Sequence, residues 1–471
     1  MAQSNKDLLK RISNLAKHNQ DLTEENEKLK KRLEKLTMEN DEQKTMLEKF
    51  SPSELEAGLR STDRAVATRF DIVTVMYASI IGFSNIQETM NSQVLMDELD
   101  IILFEFDRIL KKYNIQKIKT IGDSYMAAGG IPVKNMTNPI QVVMAALEIE
   151  NFIKSFPEQQ GRTEKVWEIK LGIHTGPVFA TFSGKKKVNY DIKGDTVNIA
   201  SRMETYSNDG VIIVSAMTYE LVKELFTCDY FGKMPVKYKG DIEMFSVKGL
   251  REEFSFNESK ITPNAAFDTR FKLVQFTELQ EIILEKLENE LPPYLYYHNV
   301  KHTVDVVTEV ELIGWTEDCS DEEILLLKTA GLFHDAGHTV IYDGHEHEGT
   351  LLVREMLPAY GYSQAQIDRI CNIIMATKMP PQPKDLLQEI ICDADLDYLG
   401  RSDMIPVSNT LYKELKEQNK IGTLNDWNKL QVKFISLHQY FTKTARSLRE
   451  VNKQIQIDRI KSLIAEDNLE G

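Results

Sequence analysis

The sequence predicts three architectures in series: a parallel coiled coil over residues 1–50, an α+β domain over 51–257 and an all-α domain over 258–471. Three observations predict it. Leucine recurs every seventh residue near the amino terminus, strand-like runs alternate with amphipathic segments from Phe70 to about Phe256, and helical periodicity takes over beyond that. A length of 471 residues suits two or three domains at ~100–200 residues each, and 42% hydrophobic composition is ample for ordinary cores. The formal charge of −15 and the pI near 5.3 disfavour a nucleic-acid or anionic-membrane surface, because both partners are polyanions. No apolar stretch approaches the ~20 residues that span a bilayer, and Met1-Ala2-Gln3-Ser4-Asn5-Lys6 opens no apolar h-region, so a cytoplasmic protein without membrane insertion is expected. Cys228, Cys319, Cys371 and Cys392 show no close pairing and are expected as reduced thiols.

The rod comes first. Leu8, Leu15, Leu22, Leu29, Leu36 and Gln43 fall at d of a heptad, with Ile12, Asn19, Asn26, Leu33, Asn40 and Leu47 at a. Leucine at d with asparagine at three a positions favours a parallel two-stranded coil, since facing asparagines hydrogen-bond in register and are costly otherwise. Ser51 can then cap a helix whose first position suits Pro52, and a new element begins there.

In the central domain, four segments occur in order. They are Tyr77-Ala78-Ser79-Ile80-Ile81-Gly82-Phe83-Ser84, Lys119-Thr120-Ile121-Gly122-Asp123-Ser124-Tyr125-Met126, Gly172-Ile173-His174-Thr175-Gly176-Pro177, and the run from Tyr190 through Asp191 and Asn198 to Arg202. Together they resemble the signatures of class III nucleotidyl cyclases. The resemblance implies a ferredoxin-like fold and active sites shared between two such domains, so a homodimer joined by the coiled coil and the cyclase domain is expected. It also implies that Lys119 and Asp191 read the adenine edge of ATP, where guanylyl cyclases typically carry Glu and Cys. Asn198 and Arg202 would position the ribose and stabilise the transferring phosphoryl group, and Lys237 would hold the triphosphate. Asp123 would bind magnesium or manganese with ATP, because phosphoryl transfer is chiefly a matter of positioning and charge neutralisation.

Ser79 departs from that pattern. The family has an aspartate there that joins Asp123 in holding two ions, and a neutral hydroxyl replaces a carboxylate poorly. A homodimer repeats the change in both sites. Two readings follow: a weakened adenylyl cyclase, or a nucleotide-binding domain that regulates what comes after it.

The last third of the chain holds six of the nine histidines, between His298 and His347. A polar linker around Asn257 to Asn264 leads in, and apolar helical periodicity marks Phe276–Leu287, Glu323–Leu332, Gly349–Met356 and Gln431–Leu448. His298 and His302 stand four residues apart, a spacing that places both on one helical face. The doublet His334-Asp335 and the distant Asp395 complete a set of imidazole and carboxylate groups suited to a divalent metal. The set resembles the HD superfamily of metal-dependent phosphohydrolases. The resemblance implies that His302, His334, Asp335 and Asp395 ligate one metal, that Asp335 bridges to a second, and that His345 or His338 supplies a further ligand. Mn, Fe, Zn and Mg all suit such ligands. The string Tyr297-His298-Asn299, with His302, Asp305 and Val306, also resembles the opening signature of class I cyclic-nucleotide phosphodiesterases, which implies that His298 protonates the leaving 3′-oxygen.

Arg401 and Lys378 read as solvated surface cations, His438 as a packed helix histidine, and His18 and His174 as non-catalytic. The expected function is a cyclic-nucleotide phosphodiesterase coupled to an adenylyl-cyclase-like domain. The alternative is an active adenylate cyclase whose HD domain hydrolyses another nucleotide or phosphoester.

Overall fold

The computed structural model describes residues 67–81, 92–159, 167–183, 189–236, 240–256 and 260–467. The expected coiled coil and the Ser51-Pro52 cap lie outside the described residues. Two compact units divide the chain, one containing the hairpin Phe179–Lys193 and the other comprising Phe70–Val178 together with the chain from Gly194 onward.

The mixed α/β part runs β1 (Ala67–Ile81), α1 (Ser92–Lys112), β2 (Gln116–Ile121), β3 (Ser124–Gly129), α2 (Asn138–Gln159), β4 (Glu168–Ser183), β5 (Asn189–Lys193), α3 (Asp195–Tyr206), β6 (Val211–Ser215), α4 (Ala216–Val222), β7 (Phe226–Val236) and β8 (Gly240–Leu250). The sheet order is β2-β3-β1-β4-β6-β8-β7. β4 and β6 pair parallel, from Lys170↔Val211 to Ile173↔Val214, whereas β1–β3, β2–β3, β6–β8 and β7–β8 are antiparallel. In the hairpin unit, Phe179–Ser183 of β4 pairs antiparallel with β5.

Side-chain alternation explains why this sheet is covered on both faces. Ile212 and Val214 of β6 join the core formed with Ile102 and Phe106 of α1 and Val143 and Ile149 of α2, while Ile213 between them joins Ile199 and Met203 of α3. Close approach of α3 depends on Gly172, where a Cβ would stand 2.1 Å from Glu204 N and 2.6 Å from Ala200 O. Gly122, at φ +63°, supplies the left-handed residue of the tight β2–β3 turn and so sets Asp123 at its tip.

The rest is helical: α5 (Ala265–Glu290), α6 (Val300–Thr316), α7 (Asp321–Phe333), α8 (His345–Met356), α9 (Gln364–Ile374), α10 (Leu386–Asp395), α11 (Met404–Glu417), α12 (Leu424–Leu437) and α13 (Val451–Asp467). α5 belongs to two cores. Its first turn, capped by Asn264, carries Phe267 against Phe226 of β7, while Phe276, Leu279, Ile283 and Leu287 pack with α6 and α7. The approach to it is held as well, since Leu250 N donates to Lys260 O at 2.7 Å.

Three of the four expected periodic runs lie within helices. Gln431–Leu448 does not: α12 stops at Leu437, His438 is extended at ψ 139°, and a π-helical turn occupies Arg446–Glu450. Asp393 causes the break, because its buried carboxylate accepts from Phe441 N and Thr442 N at 2.8 Å each and Thr442 then caps a fresh turn. Among the described residues no helix is long and apolar enough to cross a membrane.

Candidate functional site

Five histidines and two aspartates converge where helices of the second domain begin and end. α6 starts at Val300 because the Asn299 side chain accepts from His302 N at 3.2 Å, a favoured cap. That cap corrects the expected helical pairing: His298 lies in the turn before the helix and only His302 is helical, yet their rings stand 6.0 Å apart. α7, opened by a Ser320–Glu323 capping box, ends on Phe333 and delivers His334 and Asp335. A 3₁₀ turn, Ala336–Thr339, carries His338, and α8 begins with His345. Gly337 makes this crowding feasible, since a Cβ there would lie 1.9 Å from His345 O. Asp395 closes α10.

One cluster is tight. His302 Nε2 lies 3.1 Å from Asp395 Oδ1 and 3.4 Å from Asp335 Oδ2, and His334 Nε2 lies 3.2 Å from Asp335 Oδ2 and 3.4 Å from His302 Nε2. Four ligands about 2.1 Å from a tetrahedral ion are about 3.4 Å from one another, so these atoms fit around one divalent cation. The His334 Nδ1–H donates to Gly331 O at 2.8 Å, which leaves Nε2 as the lone-pair nitrogen facing the cluster. A second group shares Asp335 through Oδ1, 3.4 Å from His345 Nε2 and 3.9 Å from His338 Nε2, and His298 with Asp335 and His338 can also be spanned by one ion. His345 is oriented in the same way, its Nδ1–H donating to Tyr342 O at 2.9 Å.

The electrostatics suit the same occupant. Burial pushes imidazoles down, yet hydrogen bonds and charge from Asp335 and Asp395 hold His302 above, and His334 well above, the ordinary histidine value. Burial would raise the carboxyls, but the histidines around them hold Asp335 well below and Asp395 below the usual range. A divalent cation takes such groups in exchange for their protons. His338 differs: burial drives it down to about 3, and neither ring nitrogen has a hydrogen-bond partner among the described residues. Asp335 Oδ2 is likewise buried without a well-formed hydrogen bond. The residues therefore fit a pair of divalent metals.

Glu414 is the residue of this cluster that sequence reasoning missed. Fully buried on α11, it accepts from His298 Nδ1 at 2.5 Å and Tyr342 OH at 3.0 Å through Oε1, and from Tyr297 N and His298 N at 3.0 and 3.2 Å through Oε2. Burial would raise its pKa, but the His298 hydrogen bond and these donors hold it lowered. The available signal was an acid at helical spacing with the apolar Val407 and Leu411. Arg401 is also corrected: rather than a solvated cation, it is 23% exposed and bound to Asp403 and Asp305. Lys378 is exposed. His438, predicted inside a helix, is instead the C-cap of α12, packed against Tyr440.

The cyclase-type residues are spread over exposed or half-exposed positions. Lys119 lies on β2, Asp123 in the β2–β3 turn, and Asn198 and Arg202 one turn apart on α3, with an Arg202 guanidinium N–H 3.5 Å from Pro235 O. Ser79 faces Ser124 across β1 and β3, their hydroxyls 2.8 Å apart. Asp191 lies on β5 in the hairpin unit, its carboxylate 3.8 Å from Lys193 Nζ. Lys237 lies outside the described residues. His174 Nδ1 is 2.7 Å from Ser215 Oγ, a structural contact within the sheet.

A mixed α/β sheet is followed by helices that converge on a histidine–aspartate centre. The chain contains an adenylate and guanylate cyclase catalytic domain, matched over residues 65–249, and an HD domain, matched over residues 299–397. It is similar to the membrane guanylyl cyclase of Dictyostelium discoideum, 32% identical over 195 residues that make up 41% of this chain and 13% of that protein. It is also 30% identical over 201 residues to an adenylate cyclase of Mycobacterium tuberculosis, covering 42% of this chain and 45% of that one. Among solved structures, the guanylate cyclase domain of RhGC from Catenaria anguillulae in complex with GTP matches at 32% identity, with 39% of this chain, all of that one and a TM-score of 0.36. The chain thus spans less than half the length of these curated relatives.

The buried His298–Glu414 pair generates a stability prediction. Glu414→Ala strands a ring nitrogen and two backbone N–H groups and lowers unfolding free energy by about 3 kcal/mol in urea titrations. Combining it with His298→Ala gives a coupling of at least about 1 kcal/mol in a double-mutant cycle, whereas additive losses would mean the two side chains do not interact.

Proposed function

We propose that the HD domain is a metal-dependent phosphodiesterase, with 3′,5′-cyclic nucleotides as favoured substrates, and that the cyclase-type domain binds ATP and either makes cyclic AMP weakly or regulates the hydrolase. The observation that carries this reading is the pair of ligand groups sharing Asp335, with His298 at their edge. His302, His334, Asp335 and Asp395 would hold one divalent cation and Asp335 with His338 and His345 a second. Bound there, the ions supply charge neutralisation at a phosphate and water of lowered pKa.

The chain's own groups do the rest. Glu414 accepts from the Nδ1–H of His298, which fixes the ring and leaves Nε2 to hold the proton that a leaving 3′-oxygen takes up. Tyr342 braces the same carboxylate through its hydroxyl, so the proton donor is seated by one helix and a loop rather than by solvent. Histidine and carboxylate paired in this way are the arrangement general-acid catalysis asks for.

For the cyclase-type domain, the ferredoxin-like reading rests on the order β1-α1-β2-β3-α2-β4. Lys119 and Asp191 would read adenine, Lys237 the triphosphate, and Asn198 and Arg202 the ribose and the transferring phosphate. Asp123 alone supplies a carboxylate for the ions, because the Ser79 hydroxyl is neutral and already shared with Ser124. As part of the same reading we take the chain to be a cytoplasmic homodimer joined by its coiled coil and cyclase domains.

Two outcomes test this. Offered a panel of 3′,5′-cyclic nucleotides, linear nucleotides and simple phosphoesters with Mn²⁺, the wild type cleaves the cyclic phosphodiesters, and His298→Ala loses about 100-fold in kcat while retaining its metals. Cleavage of linear monoesters alone, or an unaffected His298→Ala, contradicts the assignment. In a background carrying His302→Ala to prevent product loss, Ser79→Asp raises cyclic AMP formation from ATP by at least about tenfold. An unchanged rate would show that Ser79 is not what limits the cyclase domain.

A further inference from the structure

Tyr342, in the chain between His338 and His345, reaches both halves of the histidine centre. Its carbonyl accepts from His345 Nδ1 at 2.9 Å, and its hydroxyl donates to Glu414 Oε1 at 3.0 Å, the oxygen that also accepts from His298 Nδ1. Its ring centroid stands 5.1 Å from that of His338. A shift of this residue therefore moves a candidate ligand and the proton donor together. Sites of this kind lose rate steeply when a supporting group slips by an ångström. The loop that carries it, residues 340–344, is anchored at its start, where Val340 N and Ile341 N donate to Gly337 O at 2.9 and 3.0 Å, and at its end, where Gly344 at φ +90° opens α8. Its middle faces outward, with Val340, Ile341 and Asp343 exposed. What holds Tyr342 in place has to come from another element.

α11 supplies that hold twice. Glu414 lies on it, and just past its last residue, Glu417, Asn419 takes a left-handed φ of +58°. Asparagine tolerates that conformation better than most side chains, and helices commonly end this way. Lys420 N closes the turn by donating to Leu415 O at 2.8 Å, and its side chain emerges against the loop. Lys420 Nζ lies 3.9 Å from the centroid of the Tyr342 ring and 2.8 Å from Asp343 Oδ1. An ammonium so close to a phenol face, with a carboxylate beside it, is drawn by the ring's quadrupole and by an ion pair at once. One helix and its cap therefore grip Tyr342 at the hydroxyl, through Glu414, and at the ring face, through Lys420.

We propose that Lys420 is a positioning residue of the hydrolytic centre, acting through Tyr342 to keep His345 and His298 in their working geometry. The proposal rests on the phosphodiesterase reading above. The contacts of the Lys420 ammonium are the Tyr342 ring and the Asp343 carboxylate, so it acts on the centre through the loop rather than on reacting atoms. With the ammonium in place, the ring cannot swing aside without giving up the cation on its face. Without it the phenol is held chiefly at its tip, and a ring held at one end pivots and carries its carbonyl away from His345 Nδ1. Contacts of this kind are individually weak at an accessible site, so the loss expected on removing the cation is several-fold rather than total.

The test uses the full-length protein with Mn²⁺, offered 3′,5′-cyclic nucleotides and bis(p-nitrophenyl) phosphate. Lys420→Met lowers kcat about fivefold with KM within about twofold, because the substrate's contacts remain while the centre is less well ordered. Lys420→Arg keeps a cation for the ring and for Asp343 and stays within about twofold of the wild type. In a Tyr342→Leu background, itself slower, Lys420→Met brings no further loss, the non-additivity expected of residues that act as a unit. Hydrogen exchange gives a readout without turnover: in Lys420→Met the amides of residues 340–347 exchange at least about threefold faster, with or without metal. An unchanged kcat in Lys420→Met, a loss that Lys420→Arg shares, a loss that persists in full without the Tyr342 ring, or unchanged exchange in that segment overturns the proposal. Failure of the wild type to cleave any phosphodiester, with the exchange difference intact, overturns the phosphodiesterase reading and leaves the positioning role of Lys420 standing.

Discussion

Asp335, 7% exposed, turns one carboxyl oxygen toward His302 and His334 and the other toward His345 and His338. A carboxylate taken out of water costs several kcal/mol unless opposite charge meets it, so the helices of this domain must end where they can deliver that charge. Histidines that come off α6, α7 and α8, with Asp395 at the end of α10, are the result. The same requirement explains an otherwise costly concentration of like groups. Asp335 and Asp395 repel each other unless protons on the surrounding imidazoles or a cation balance their charge.

Backbone follows from that constraint. α8 can reach the His334-Asp335 corner only because Gly337 and Gly349 present no Cβ toward His345 O and Phe333 O. Glu414 extends the arrangement outward by one layer, tying His298 and the chain just before α6 to α11. Arg449, Asp397 and Glu309 form a further polar layer, again fixed by a glycine, Gly400, that lets a π-helical turn come close. Where a second carboxylate would stand beside Asp123, Ser79 and Ser124 share a neutral hydrogen bond across two strands.

Much of this was legible in the sequence, and the exceptions have physical causes. Side-chain periodicity reports burial on one face of an element, so the mixing of strands and helices in the first domain and three of the four helical runs named in the second could be read directly. The convergence of these histidines and aspartates could be read because histidine is scarce and its clustering is local in sequence. What periodicity does not report is where backbone donors find their acceptors. Asn299 caps the start of the helix just past His298 and so leaves His298 outside it, and Asp393, far away in sequence, broke the run from Gln431 to Leu448 by accepting from Phe441 N and Thr442 N. Glu414, Glu309 and Asp397 stayed unread for a related reason, since each is one acid among 72 and acquires meaning only through partners more than a hundred or about fifty residues away.

The central claim is that Asp335 is shared between two divalent ions. Elemental analysis of the purified full-length protein and of Asp335→Asn, both dialysed against the same metal-containing buffer, tests it most directly. The account predicts two divalent ions per wild-type chain and loss of both in Asp335→Asn, with His345→Ala losing one. A wild-type chain that binds a single ion, or an Asp335→Asn chain that keeps two, would contradict it.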